Sequence, residues 1–153
     1  MDDTRLADFW ATARAAEPSL PSAVPAAWAF GAGPAQADDL LALVLAGVKT
    51  ATASALDDYD VDGEPVPRAG DASIVLDGRD RPRAVIVTSA VEILPFAEVT
   101  AEHAWAEGEG DRSLAHWRAV HEDFWRAQAA HPAGFRPDMP VVCERFRLVF
   151  AAD

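Results

Sequence analysis

The chain of 153 residues carries 25 acidic side chains against 13 lysines and arginines, which gives a formal net charge of −12. That balance excludes a surface that binds long nucleic acid by counterion release, because such binding needs many cationic side chains facing phosphates. The length suits one domain, 50% of the residues are apolar, and the single cysteine, Cys143, excludes an internal disulfide and a cysteine-based zinc site.

Residues 1–27 are predicted to form a helix followed by a connector. Thr4 can cap a helix that runs to about residue 16, and Pro18 and Pro21 end it. The acidic N-terminus lacks the positive charge of a secretory signal, and the longest apolar run, residues 40–48, is too short to span a bilayer. We therefore expect a soluble, cytoplasmic protein with no membrane partner.

A second helix is predicted from about Ala37 to a C-terminal glycine at Gly47. It is followed by Lys49, the only lysine in the chain. An ammonium can lose its proton when it is desolvated, whereas a guanidinium stays charged, so a lysine kept here is typical of a group that must titrate. The alternative is a solvated charge that stabilises the helix C-terminus.

Residues 50–54 are predicted to form a short strand, because small residues alternate there with the hydroxyls of Thr50, Thr52 and Ser54. The polar residues 57–68 follow and include the only tyrosine, Tyr59. Their composition fits a mobile loop over a site, and it equally fits a plain surface loop.

A hairpin is predicted next, from a strand at residues 72–76, a turn at 77–80 and a long strand at 83–94. The long strand is expected to place alternate apolar side chains on one face and to be long enough to bend around a small barrel. These side chains are Val85, Val87, Val91 and Ile93.

Two helices are predicted after the hairpin, one capped by Thr100 over residues 101–106 and one from Ser113 to about residue 129, ended by His131 and Pro132. The acidic segment between them contains Glu107, Glu109 and Asp111. Such carboxylates can bind Mg²⁺ or Mn²⁺, or they can simply cap helices.

No histidine metal site is expected, because the histidines lack the spacing of a metal motif and His103 has no evident partner. The last predicted strand covers residues 141–150 and places Glu144 on an otherwise apolar face. Helices mixed with about five short, non-consecutive strands indicate an α+β fold, and the long bent strand favours a compact barrel over an open sheet.

The sequence resembles the ASCH family over most of its length, from about residue 28 to residue 150. The resemblance rests on Gly47-Val48-Lys49-Thr50-Ala51-Thr52 and Glu107-Gly108-Glu109-Gly110-Asp111, together with Trp28-Ala29-Phe30-Gly31, Gly70-Asp71 and Cys143-Glu144-Arg145-Phe146. It implies a PUA-like small mixed β-barrel surrounded by helices over residues 28–153, with residues 1–27 as an N-terminal helical extension. It also implies a cleft suited to RNA or a nucleoside.

ASCH relatives include RNA-binding modules, ribonucleases and amidohydrolases that remove acyl groups from the exocyclic nitrogen of cytidine. For the amidohydrolases, the resemblance implies a catalytic set of Lys49, Thr52 and Glu107, with no metal or other cofactor. A threonine hydroxyl needs a base, and a neutral lysine amine can serve. The three-residue spacing of Lys49 and Thr52 requires that Lys49 lie in the turn before the strand, because a regular strand would place them on opposite faces.

Two other functions remain open. In a ribonuclease that acts on single-stranded RNA, Lys49 would stabilise charge on the phosphate, and Glu107 or Glu109 would act as a base or bind a divalent cation. In a non-catalytic RNA-binding module, an aromatic side chain would stack a base, although Trp28 and Phe30 are equally expected in core packing. The predicted substrate-binding residues are Trp28, Phe30, Thr50, Tyr59, Glu109 and Glu144.

Overall fold

The computed structural model describes residues 3–128 and 133–152, which form an α+β domain. The predicted end of the last helix at His131 and Pro132 lies outside the described residues. The helices are α1 Asp3–Ala16, α2 Pro34–Leu45, α3 Leu56–Asp62, α4 Ala101–Glu107 and α5 Leu114–Gln128, with a 3-10 turn at Phe96–Glu98. The strands are β1 Ala27–Trp28, β2 Ala51–Ala55, β3 Ala72–Leu76, β4 Pro82–Pro95 and β5 Pro140–Ala151.

The strands form one sheet in the order β1-β3-β4-β5-β2, in which β1 runs parallel to β3 and the other neighbours are antiparallel. The two edge strands, β1 and β2, do not pair with each other within the described residues. The α+β class is therefore confirmed, but the sheet is open where the sequence favoured a closed barrel. A strand of two residues on the far edge offers too little length for closure.

Strand β4 follows its predicted bounds, but its side chains do not stay on one face. The register with β5 shifts between Val85 and Ile86 and again between Thr88 and Ala90. The first shift leaves Val149 of β5 unpaired and the second leaves Ser89 of β4 unpaired, so the second shift changes the side on which later β4 residues lie. Val85 is consequently buried whereas Ile93 is 47% exposed, and the prediction of a single apolar face was wrong.

Helices cover both faces of this sheet. Helix α1 packs Trp10 and Ala13 against β3 and β4, and the Trp10 indole donates to the Pro21 carbonyl at 3.0 Å. Helix α2 packs its apolar side against a second cluster, on the other face of the sheet, which includes Phe30 and Phe146. A third cluster joins α4 and α5 to the end of the sheet and contains Phe96, Trp117, Trp125, Val141 and Cys143. Each large side chain buried in this way contributes about 1.5–3 kcal/mol.

The predicted loop at residues 57–68 contains a short helix, and two arginines at the β3–β4 turn pair with a buried carboxylate. Residues 57–68 begin with helix α3, which has acidic residues in its first turn and ends at Gly63 with a left-handed φ of 68°. Acidic side chains stabilise a helix N-terminus, and a glycine with a left-handed φ is typical of a helix C-terminus. Near the β3–β4 turn, Arg81 and Arg83 pair with the buried Asp77 carboxylate at 2.8 and 3.5 Å. These arginines therefore stabilise the turn.

No helix among the described residues is long and apolar enough to cross a membrane. The division of the chain at residue 27 into an extension and a domain stays a prediction.

Candidate functional site

The backbone around Lys49 joins helix α2 to strand β2. Gly47 has a left-handed φ of 77°, and the N–H groups of Val48 and Lys49 both donate to the Leu43 carbonyl. Thr50 N–H then donates to Ala106 O at 2.7 Å, before β2 begins at the next residue. Lys49 therefore lies in the turn before the strand, which is the position that the predicted catalytic pair requires.

The Lys49 ammonium is buried among oxygen atoms, since its side chain is only 1% exposed. Its Nζ lies 2.9 Å from Ala51 O and 2.8 Å from Glu109 Oε2. It also lies 3.4 Å from the Glu107 carbonyl and 3.5 Å from Glu107 Oε1. The alternative of a solvated lysine at a helix end was wrong, because this ammonium is enclosed and its N–H groups already have acceptors.

Glu107 ends helix α4, and its carboxylate is 2% exposed. His103 Nε2 lies 2.6 Å and Trp117 Nε1 2.5 Å from Oε2. Burial alone would raise the pKa of Glu107, but hydrogen bonds from His103 and His121 and the charge of Lys49 hold the pKa well below its ordinary value. Glu107 is therefore a fixed, ionised group.

His121 connects this carboxylate to helix α5. Its Nδ1 lies 2.8 Å from the Trp117 carbonyl, which can only accept, and its Nε2 lies 3.5 Å from Glu107 Oε1. The imidazole also stacks on the Trp117 indole with centroids 4.2 Å apart. Burial lowers the pKa of His121, but the contact with Glu107 outweighs it and raises the pKa above its ordinary value.

Gly108 allows the segment after Glu107 to approach the Lys49 turn. Its φ is 74°, and a Cβ there would lie 2.7 Å from Val48 O. Further along, Asp111 Oδ1 accepts the Ser113 N–H at 2.9 Å in the turn before α5, and Ser113 caps that helix by accepting the His116 N–H. Within residues 3–128 and 133–152, no group of three or more His, Cys, Asp or Glu side chains is arranged to hold a metal ion.

A cavity of about 350 Å³ opens beside Lys49, between the start of α2, strand β2 and helix α5. The three predicted catalytic residues, Lys49, Thr52 and Glu107, all line it. The other lining residues are Phe30, Gly31, Gln36, Leu40, Ala53, Glu109, Val120, His121, Asp123 and Phe124.

Not every predicted contact is present. Among the described residues, the Thr52 hydroxyl has no hydrogen bond, and Lys49 Nζ bonds only to the oxygens named above. Of the predicted binding residues, Phe30 and Glu109 line the cavity, and Trp28 packs edge-on against Phe30 at 4.7 Å. Thr50 instead donates its hydroxyl to Ala106 O.

Tyr59 and Glu144 each hydrogen-bond to a neighbouring side chain. The Tyr59 hydroxyl lies 2.7 Å from Ser54 Oγ, and Thr88 Oγ1 donates to Glu144 Oε2 at 2.8 Å. Neither Tyr59 nor Glu144 lines the cavity. The prediction that Glu144 lies on an apolar face is confirmed, since it is 8% exposed there.

Three partners of Glu107 were not predicted from the sequence. His103 was considered only as a metal ligand without a companion, whereas it contacts Glu107, which follows it by four residues and therefore lies on the same side of α4. Trp117 and His121 have the same spacing on α5. The four-residue spacing was visible in the sequence, but the contact between the two helices was not.

A family model and several solved structures match this chain over most of its length. The family model of the ASCH domain matches residues 26–150. A crystal structure of a protein from Enterococcus faecalis V583, described with the family DUF984, is 36% identical over 97% of this chain and 90% of that chain, with a TM-score of 0.87. A crystal structure of an ASCH domain from Lactobacillus crispatus JV V101 is 28% identical over 97% of this chain and 96% of that chain, with a TM-score of 0.84.

A further solved structure, of a hypothetical protein, shares the fold at 16% identity, covers 80% of this chain and 99% of that chain, and has a TM-score of 0.54. Among curated proteins, no sequence matches this chain significantly.

Proposed function

The chain belongs to the ASCH domain family, and from that premise we propose that it is a hydrolase that removes the acyl group from the exocyclic nitrogen of an N4-acylated cytidine. The observation that carries this proposal is that Lys49, Thr52 and Glu107 line one cavity, with Lys49 and Glu107 buried at its wall. We also propose that the sheet is related to the PUA fold and that the protein is cytoplasmic.

The charges in the cavity favour a nucleoside over a long RNA. Its wall contains the carboxylates of Glu107, Glu109 and Asp123, and no arginine is among its described lining residues. The phosphates of an RNA strand would be repelled by this wall, whereas a neutral nucleoside would not. Phe30 and Phe124 offer apolar surface to a flat ring.

Thr52 is the proposed nucleophile. Its hydroxyl attacks the acyl carbon, a bond forms between Oγ1 and that carbon, and the threonine proton passes to the Lys49 amine. The tetrahedral intermediate then breaks its C–N4 bond, while the Lys49 ammonium returns the proton to the leaving nitrogen. Water hydrolyses the resulting ester and regenerates the threonine.

This sequence requires that the Lys49 ammonium first lose a proton, which Glu109 can accept, and that the resulting amine exchange Glu109 for Thr52 when the substrate binds. Glu109 is the partner that can leave, because its side chain is 21% exposed whereas that of Glu107 is 2% exposed. Glu107 is held by His103 and Trp117. Glu107 thus orients the lysine throughout the reaction, and Glu109 acts as its exchangeable partner.

Neither alternative gains the same support. A metal-assisted ribonuclease needs carboxylates that converge on a cation, but Glu107 and Glu109 converge on Lys49, and Asp111 accepts the Ser113 N–H in the turn before α5. A binding module explains the aromatic side chains but does not explain why an ammonium and two carboxylates are held beside an unpaired threonine hydroxyl.

The test is a product assay by liquid chromatography and mass spectrometry, in which the protein is incubated with N4-acetylcytidine or single-stranded RNA, with and without chelator. We expect cytidine and acetate in both conditions. Thr52→Val, which keeps the side-chain shape, should reduce the rate at least about 10³-fold, whereas Thr12→Val on the exposed side of α1 should leave it unchanged.

Shortened RNA that disappears in chelator would replace this proposal with the ribonuclease, and nucleoside binding without any product would replace it with the binding module. Lys49→Arg keeps the positive charge and cannot accept a proton at neutral pH. Full activity of that variant would reject Lys49 as the base and leave it an electrostatic role.

A further inference from the structure

The side chain of Gln36, in the first turn of α2, is held in one orientation. Ala32 N–H donates to Gln36 Oε1 at 2.7 Å. A backbone N–H can only donate, so the atom that it meets must be the oxygen of the side-chain amide. The bond therefore assigns the orientation of the amide and leaves its nitrogen on the other side.

Gly31 leaves the space that this side chain occupies. Its φ is 84°, and a Cβ there would lie 2.7 Å from Gln36 Cγ and 2.8 Å from Gln36 Oε1. Both residues line the cavity beside Lys49. Gly31 and Gln36 therefore form one wall, and the wall depends on the missing side chain of the glycine.

Gln36 is exposed, and its amide nitrogen has no acceptor among the described residues. Within residues 3–128 and 133–152, the one hydrogen bond of its side chain is made by the oxygen. Elsewhere in the cavity wall, the Lys49 ammonium already donates to Ala51 O and Glu109 Oε2. The carboxylates of Glu109 and Asp123 contribute only acceptors when they are ionised. Gln36 is thus an uncommitted neutral donor in the cavity wall.

We propose that Gln36 determines specificity by donating its amide N–H groups to the ring carbonyl of a 2-oxopyrimidine. This inference rests on the proposed function and deepens it. A neutral donor among carboxylates favours a neutral carbonyl over a phosphate. An analogue that lacks the carbonyl would displace water from the exposed Gln36 amide without replacing its hydrogen bond, and it should therefore bind more weakly.

The test compares binding of cytosine with binding of 4-aminopyrimidine, which lacks the ring carbonyl, by isothermal titration calorimetry. The wild-type protein should bind cytosine at least about tenfold more tightly than it binds 4-aminopyrimidine. Gln36→Glu keeps an oxygen for the Ala32 N–H but replaces the donor nitrogen with a second acceptor. It should lose at least about tenfold in cytosine affinity and should no longer discriminate between the two compounds.

Gln128→Glu, at the exposed end of α5, adds the same charge outside the cavity and should bind like wild type. Unfolding midpoints of both variants equal to that of wild type would show that neither substitution has disturbed the fold. Gly31→Ala should reduce cytosine affinity as well, because its Cβ displaces Gln36.

Unchanged cytosine affinity in Gln36→Glu, or no binding of cytosine by wild type, would overturn the inference. Turnover of N4-acetylcytidine is measured separately. Turnover by wild type together with an unaltered Gln36→Glu variant would reject the role of Gln36 and keep the hydrolase. Gln36-dependent binding without turnover would reject the hydrolase and keep the recognition of the ring.

Discussion

The protein buries two glutamates, one in the wall of the candidate cavity and one outside it, and their surroundings shift the carboxyl pKa in opposite directions. Glu107 is 2% exposed and Glu144 8% exposed. Burial raises the pKa of both, yet the pKa of Glu107 ends well below its ordinary value and that of Glu144 above it. Burial alone therefore does not determine the charge of a carboxylate in this domain.

The difference lies in the partners. Glu107 contacts the Lys49 ammonium, two imidazoles and an indole N–H. Glu144 has one hydroxyl, from Thr88, and the charge of Asp71 opposes its ionisation. The surroundings of Glu107 thus stabilise the anion, whereas those of Glu144 favour the neutral acid. The following substitutions test that contrast.

Lys49→Met should have the largest effect, because it removes the cation from beside two carboxylates and leaves the buried Glu107 without a neighbouring lysine charge. We expect a loss of about 3–5 kcal/mol in the free energy of unfolding, measured by urea denaturation, and loss of hydrolytic activity. Arg126→Met is the matched control, since its ion pair with Glu122 is exposed on both sides. It should cost about 1 kcal/mol or less. Equal losses in the two variants would contradict the special position of Lys49.

Glu107→Gln should change how stability depends on pH. Because the folded pKa of Glu107 lies below the unfolded one, the unfolded state binds more protons in the interval between them, and stability rises with pH there. This contribution is fully present above about pH 5 and is lost as pH falls through the folded pKa. The variant should be less stable than wild type at pH 7, and the gap should narrow in acid. A gap independent of pH would mean that Glu107 is not ionised in the folded state.

Gly108→Ala should act on the same side through the backbone. Its left-handed φ strains a residue with a side chain, and its Cβ would meet the Val48 carbonyl, which is part of the turn that positions Lys49. We expect a cost of about 1–3 kcal/mol and a lower rate of hydrolysis. Gly63→Ala has a similar φ of 68° but open space around the added Cβ. A smaller cost there would separate the close contact from the backbone strain, and equal costs would assign the whole effect to φ.

The contrast between the two glutamates was only partly predictable from sequence. Alternation placed Glu144 on an apolar face, and the helix pattern with its Thr100 cap placed Glu107 at a helix end, both as the structure has them. The charge of each carboxylate depends on partners from distant segments, such as Thr88 for Glu144 and Trp117 for Glu107. Periodicity reports which side of an element a residue occupies, but it does not report which other element packs there.

The same limit explains the errors in the fold. The bulge at Ser89 changes the exposed side within β4, and no glycine or proline marks it. Helix α3 formed where acidic composition suggested a loop, because its termini supplied the charges and the glycine that a short helix needs. Gln36 drew no attention in the sequence, since its role depends on the distance to Gly31 and Ala32.

Glu144→Gln should have the smallest effect, and its sign should be opposite to that of Glu107→Gln. Because burial raises the folded pKa of Glu144, the folded state binds more protons than the unfolded state, and the contribution of this residue to stability falls as pH rises through the folded pKa. A neutral amide avoids that loss while its oxygen can still accept from Thr88. We expect the variant to equal or exceed wild type by up to about 1 kcal/mol at pH 7, with the advantage disappearing near pH 4, as measured by urea denaturation at both pH values. Destabilisation at pH 7 would show that Glu144 is held as an anion like Glu107, and partners would then fail to account for the difference between them.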